Sequence, residues 1–231
     1  MYAEVVAITQ PFISGISAED FVLYCARVSS PKNQQKMENG EMKDDKLLSY
    51  LIKHKHWSPF EMVDVTFKIE TNMAVAAQLL RHNSFRFQQF SQRYAKVNVE
   101  DALEPIELRR ANKNNRQSSE EVFNPLLADE ISAQFVIKDM QWKQLDLYEE
   151  LIAAGVAPET ARFVLPLNTK TTMFAKGNLR SWITYLNVRL EEHAQKEHRD
   201  LAVTIAMELS KHFPLTADAL SYFNNYKGGF I

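Results

Sequence analysis

The stretch RHNSFRFQQFSQRY, Arg81 to Tyr94, sets Arg81, Arg86 and Arg93 beside His82 within fourteen residues and contains no carboxylate. Phe85, Phe87 and Phe90 are braided through it. An exposed basic loop does not require three phenylalanines, and a core strand does not tolerate three arginines. The mixture describes a partly buried surface that expects an anion from outside. Arginine suits phosphate and planar imide or carboxylate groups, because its fork gives two parallel charge-assisted bonds. The phenylalanines offer flat apolar contacts for a ring. Gln88, Gln89 and Gln92 both donate and accept, as a pyrimidine edge requires. Read as extended around Ser91, the chain puts Ser91 and Arg93 on one side and Gln92 and Tyr94 on the other. A nucleotide is the guest that suits this pattern.

Upstream, Asn72 is placed to cap MAVAAQLLRH, a compact apolar helix with Gln78, Arg81 and His82 at its C-terminal end. Cations there suit the helix dipole, which accounts for Arg81 and His82 but not for Arg86 and Arg93. EMVDVTFKIE alternates, with Val63, Val65, Phe67 and Ile69 opposed to Asp64, Thr66, Lys68 and Glu70, and predicts a half-buried strand. Residues 2–9 read as a strand, and Ser17 as the cap of a helix with Glu19 and Asp20 in its first turn. SSPKNQQKMENGEMKDD, with Pro31 and Gly40, reads as a loop, and KLLSYLIKHKH as a short helix. Downstream, ELRRANKNNRQSSEE reads as an exposed connector. A long helix then runs to Ala154 and stops at Gly155. Pro158 opens the short segment PETARFVL, Pro166 closes it, and NTKTTMFAK reads as a strand. Residues 178–212 are mostly helical, with a break, before a short helix after Pro214. Helices alternating with a few separated strands predict a mixed α and β domain with a small sheet.

The 231 residues suffice for a sizeable core, and 45% hydrophobic with 24% charged residues is ordinary for a globular chain. A formal net charge of −2 gives no reason to coat nucleic acid or an anionic membrane, so an anion site must be local. MYAEVVAITQ lacks the pattern of a signal peptide, and no apolar run reaches the ~18 residues of a membrane span. One cysteine excludes an internal disulfide or thiolate cluster and fits a reducing, cytoplasmic setting, or a host cytoplasm for a viral protein. Cys25 shares a helical stripe with Phe21, Tyr24 and Val28, which reads as a small core residue with a raised pKa rather than a nucleophile.

Other chemistries fit poorly. In HAQKEH, His193 and Glu197 stand on one helical face, but the spacing to His198 is one residue too long for His-x-x-Glu-His. His54 and His56 in HKH are expected to be solvated, and no metal is expected. Ser91 lacks the Gly-x-Ser-x-Gly turn and an evident base. Six glycines form no phosphate-binding fingerprint.

RHNSFRFQQFS resembles the Arg-His-Arg, seven residues, Ser signature of the flavin-dependent thymidylate synthases, with Arg81, His82 and Ser91 in register. HWSPFE, ARFVLPLNTKTTMFAKGNLRS and NVRLEEHAQKE continue the resemblance in order from about His54 to Glu197. It implies an α+β fold, a small, mostly antiparallel sheet packed with several long helices, with no Rossmann domain and a single domain spanning 1–231. It also implies a homotetramer with shared active sites, FAD as cofactor, and dUMP, methylenetetrahydrofolate and NADPH as participants in making dTMP. The dUMP contacts would be Gln78 and Arg81 from one subunit and Gln89, Ser91, Arg93 and Arg162 from another, with Arg189 polarising the uracil ring as the catalytic residue. The FAD contacts would be His56, Ser58, Arg81, His82, Asn83, Ser84, Gln89, Asn178, Arg180, Thr184 and His193. The resemblance implies no nucleic-acid or membrane partner.

Three positions depart from the family. Asn83 replaces the second Arg of the signature, Gln89 stands where many members carry Glu, and Thr184 where many carry Asn. Weaker or differently seated FAD is the expected consequence, and Arg86 offers a replacement charge. Two rival readings are a catalytically altered nucleotide- and flavin-binding relative, and a module for single-stranded nucleic acid. The second requires a basic chain, whereas the sequence pI is about 6.3.

Overall fold

The alternation at residues 63–70 forms the centre of a sheet: Val63, Val65, Phe67 and Ile69 are fully buried, and Glu70 is exposed. The computed structural model describes residues 1–41, 45–115 and 118–220. In chain order its elements are β1 (Tyr2–Ile8), α1 (Ala18–Ala26), α2 (Pro31–Glu38), α3 (Asp45–Lys53), β2 (Asp64–Asn72), α4 (Met73–Leu79), β3 (Arg86–Gln89), β4 (Arg109–Ala111) and β5 (Ser119–Val122). They continue with α5 (Ala133–Ala153), α6 (Pro158–Ala161), β6 (Lys170–Asn178), α7 (Leu179–Arg189), α8 (Lys196–His212) and α9 (Pro214–Leu220). The fold is α+β, with a four-stranded sheet in the order β1-β2-β6-β3 whose pairs are all antiparallel.

The sheet has one helix-covered face and one open, charged face. On the covered face Val65, Phe67, Ile69, Met173 and Ala175 meet Trp182 and Leu186 of α7 and Leu201 and Ile205 of α8 in one core. Trp182 packs on Phe67 with ring centroids 4.6 Å apart, and its indole N–H donates to the Val65 carbonyl at 3.1 Å. On the open face Lys68 lies 3.5 Å from Glu4 and 3.0 Å from Glu70, and Lys176 lies 2.6 Å from Asp64. A strand with both faces buried would have lost this alternation.

Local signals fix several ends. Ser17 and Asp20 form a capping box at α1. Gly155 follows α5 at φ +88°, with the Gly155 and Val156 amides bonding back to Ile152 and Leu151. The same closure ends α3, where the Lys55 and His56 amides bond Ile52 and Leu51, but there the left-handed residue is Lys55 at φ +57°.

Four expectations are corrected. Residues 31–38 are helical, because Pro31 sits at N1, where its missing N–H costs nothing, and buried Met37 anchors the turn; residues 42–44 of that predicted loop lie outside the described residues. The predicted connector at 107–121 contains the β4–β5 hairpin, held by Arg110 against Glu121 and over the Phe123 ring at 3.8 Å; no apolar alternation marks it, and residues 116–117 lie outside the described residues. Extended chain ends at Phe90, and Ser91 opens a turn whose carbonyl accepts from the Tyr94 and Ala95 amides, because the turn tucks Gln92 inside. The core side of α1 is Val22 and Leu23; Cys25 is half-buried with its thiol pKa pushed up by burial, and Val28 lies exposed beyond the helix end.

Candidate active site

Both central strands run directly into helices capped by asparagine. Asn72 Oδ1 accepts from the Val75 amide at 3.0 Å, and Asn178 Oδ1 accepts from the Ser181 amide at 2.9 Å and the Ser181 hydroxyl at 2.8 Å. Because β2 and β6 are antiparallel, with Asp64 opposite Asn178 and Asn72 opposite Lys170, α4 and α7 leave the sheet at opposite ends. The turn after α4 returns to the α7 end, pinned by Phe85. Phe85 is 3% exposed and packs on Trp182 with centroids 4.3 Å apart. It lies over Gly177, where a Cβ would come within 2.3 Å of its ring. Phe85 therefore belongs to the core and offers no face to a ligand.

A first cluster forms where this turn meets α7 and α8. Arg189 Nε donates to His82 Nε2 at 3.1 Å. Burial first, then the Arg189 and Arg81 guanidinium groups, hold His82 below the usual imidazole range, so it stays neutral and can accept that bond. Next to it His198 is fully buried, with Nδ1 3.0 Å from Gln78 Oε1 and Nε2 3.1 Å from the Tyr185 hydroxyl. Burial, with Arg189 and His82 nearby, lowers the His198 pKa to about 3. Burial also raises the Tyr185 pKa, so its O–H remains a donor. Arg81 is exposed at the rim, and neither Arg81 nor Arg189 has a carboxylate partner among the described residues. The arrangement presents two guanidinium groups among neutral imidazoles, a setting suited to binding an anion and polarising a carbonyl.

A second cluster lies at the other end of β3, about 10 Å further along by strand rise alone. Gln89 Nε2 donates to Thr171 Oγ1 at 3.2 Å. Arg93 lies 3.5 Å from the Glu159 carboxylate, and Arg162 Nε donates to the Glu159 carbonyl at 3.2 Å. Ser91 is exposed, and the Nε2 of buried Gln92 has no hydrogen-bond partner among the described residues. Strand alternation sends Gln88 with Arg86 to the open face and Gln89 to the covered one, so the three glutamines do not form one surface. Within one chain the structure brings Gln78, Arg81, His82 and Arg189 together, and separately Gln89, Ser91, Arg93 and Arg162.

Of the residues expected at a flavin, Arg81, His82, Asn83 and Ser84 lie at the first cluster, whereas Gln89 lies in the second. Asn83 and Ser84 are exposed in the turn, where Arg86 folds back to donate to the Asn83 and Phe85 carbonyls at 3.2 and 3.0 Å. Arg86 thus sets a positive charge at the turn carrying Asn83. His56 and Ser58 are exposed after α3, with the His56 ring edge-on to Tyr50 at 5.9 Å. Arg180 and Thr184 lie one turn apart on the exposed side of α7; Arg180 pairs with Glu61, and Thr184 Oγ1 donates to the Arg180 carbonyl at 2.9 Å. Asn178 spends its carbonyl oxygen on the α7 cap, leaving its NH2 available. His193 is exposed in the break before α8, so it does not share a helical face with Glu197 as the spacing suggested.

The model of the thymidylate synthase complementing protein family (Thy1) matches residues 13–215. The chain belongs to this family. A flavin-dependent thymidylate synthase of Synechocystis sp. is 43% identical over 222 residues, covering 94% of this chain and 98% of the relative. A probable flavin-dependent thymidylate synthase of Paramecium bursaria Chlorella virus 1 is 38% identical, covering 96% and 100%. Among solved structures, the UMP/dUMP methylase PolB from Streptomyces cacaoi, bound with 5-Br dUMP, superposes with a TM-score of 0.73 at 26% identity over 96% of this chain and 94% of that one. In this Thy1 chain, sequence reasoning had no signal for Tyr185, read Gln195 only as part of the family-matching stretch NVRLEEHAQKE, and weighed His198 only in a metal pattern, with Glu197 in both. Neither reading reaches their other hydrogen-bond partners, which are 13 to 120 residues away.

Proposed function

We propose that this chain catalyses the FAD-dependent reductive methylation of dUMP to dTMP, with methylenetetrahydrofolate as carbon donor and NADPH as reductant. The observation that carries the reading is the Arg189–His82 contact at 3.1 Å. A neutral imidazole steers the guanidinium without neutralising it, which leaves Arg189 to face N3 and a flanking carbonyl of uracil. That charge favours the electron-rich form of the ring and activates its C5–C6 bond. Arg81 and Gln78 hold the nucleotide from the same side.

The donor set fits a flavin: half-buried His82, exposed Asn83, Ser84, His56, Ser58, Thr184 and His193, the NH2 of Asn178, and Arg180. When bound there, the flavin supplies the hydride that the methylation requires. The protein holds and polarises, and Cys25 on its half-buried helix has no part.

Gln89, Ser91, Arg93 and Arg162 complete the dUMP site from a second subunit. Their separation from Arg189 within one chain supports this, as does the unpartnered Gln92 amide beside them. So does α5, on which Phe135, Met140, Trp142 and Leu147 are all more than 40% exposed. Exposed apolar side chains of that size on one helix support a subunit interface, in this reading that of a homotetramer.

The test is dTMP formation from dUMP with methylenetetrahydrofolate, NADPH and FAD under low oxygen. Product that vanishes when FAD is withheld from stripped protein is expected. Tight dUMP and flavin binding without product would instead identify a catalytically altered relative.

A further inference from the structure

Behind Gln78 runs a chain of hydrogen bonds whose polarity is set at one end. Arg109 can only donate, and it does so to Glu197 Oε1 at 2.5 Å and to Glu107 Oε1 at 2.9 Å. Glu197 is desolvated, yet the bonds from Arg109 and Gln195 keep its pKa below the usual carboxylate range, so it is ionised and can only accept. Gln195 therefore turns its NH2 to Glu197 Oε2 at 2.9 Å and its carbonyl oxygen the other way. That oxygen accepts from Gln78 Nε2, which fixes Gln78 Oε1 toward His198 Nδ1. The imidazole must then carry its proton on Nδ1 and accept the Tyr185 O–H at Nε2. An isolated glutamine amide has two nearly equivalent orientations. Here each link permits one.

We propose that Glu197, acting through Gln195, and His198, locked by Tyr185, are positioning residues that hold the Gln78 amide as a fixed N–H donor. One Gln78 N–H is used on Gln195. The second remains for the substrate, and at that point the site recognises an acceptor oxygen, of a phosphate or a carbonyl, rather than an N–H group. The inference rests on the reading that Gln78 contacts dUMP. It explains why a buried, permanently neutral histidine stands one residue behind the acid of the HAQKEH segment. Its two ring nitrogens give one donor and one acceptor, and leucine offers neither.

The experiment uses FAD-loaded enzyme labelled with 15N-histidine, with dUMP affinity measured by calorimetry. The expected spectrum shows His198 neutral with hydrogen on Nδ1 at every pH from 6 to 8.5; hydrogen on Nε2, or an imidazolium, overturns the proposal. His198→Leu is expected to weaken dUMP binding about tenfold, the scale of losing one buried hydrogen bond. His198→Asn, whose amide reaches the Nδ1 position, is expected to stay within about threefold of wild type. Equal losses in both variants, or none in either, overturn the proposal. If His198→Leu does not fold, Gln195→Leu removes the next link from the exposed side, and a wild-type affinity there overturns it equally. Wild-type enzyme that fails to bind dUMP defeats the proposed function instead, and the His198 tautomer still decides the hydrogen-bond chain.

Discussion

Arg189 Nε and His82 Nε2 meet at 3.1 Å across 107 residues of sequence, joining the end of α7 to the turn after α4. The contact survives only while His82 is neutral, since an imidazolium has no lone pair to offer. With the His82 pKa already lowered by burial and by two guanidinium groups, the Arg189 orientation persists below pH 6.5. His82→Phe keeps the ring and removes the acceptor. It is expected to lower kcat by roughly tenfold to a hundredfold with a smaller change in the KM for dUMP, because a loosened Arg189 acts on the reacting ring. Steady-state kinetics check this.

Global stability should fall in mild acid. Unfolded His198 takes a proton near pH 6.5, whereas the folded residue does so only near pH 3. Acid therefore favours the unfolded chain: the stabilisation is complete above about pH 6.5 and is lost as pH falls toward 3, with a slope of up to ~1.4 kcal/mol per pH unit from this residue. Urea denaturation of wild type and His198→Asn at pH 5 and 7.5 should give a visibly smaller pH difference for the variant.

Gly177→Ala places a methyl group 2.3 Å from the Phe85 ring, which is wedged against Trp182. The expected cost is about 1–3 kcal/mol, measured by denaturation. Since Phe85 pins the turn carrying Arg81 to Ser84, flavin affinity should fall in the same variant.

Asn178 carries two assignments that one substitution separates. Asn178→Asp keeps the oxygen that caps α7 and should leave stability within ~0.5 kcal/mol of wild type, while Asn178→Ala should lose about 1 kcal/mol. If the NH2 meets the flavin, both variants bind FAD more weakly. Unchanged flavin affinity in Asn178→Asp would leave the residue as a cap alone.

Shared sites predict complementation. Arg81→Ala disables the first cluster and Arg162→Ala the second. Each variant should be inactive alone, whereas an equal mixture reassembled from dissociated subunits should regain about a quarter of the wild-type activity, because one site in four pairs two intact halves. No recovery from properly mixed oligomers would place both clusters' contributions in one subunit.

The sequence by itself determined the elements whose signals are local. The alternation of β2, the Ser17 and Asn72 caps, Gly155 after α5 and Pro158 at the start of α6 each act within a few residues, where chain stereochemistry decides. The Arg81–Tyr94 segment also announced a charged, aromatic surface and the family. Where one signal allowed two outcomes, as with Pro31 read as a breaker rather than a helix start, the choice fell to the packing of Met37. Only the tertiary structure decided how the segment divides, with Phe85 in the core, Arg81 and His82 beside α7, and Ser91 and Arg93 at the far end of β3. The hydrogen-bond chain from Arg109 to Tyr185 was equally out of reach. Its members come from β4, α4, α7 and the start of α8, and a side chain's polarity there depends on partners that folding brings within 3.1 Å.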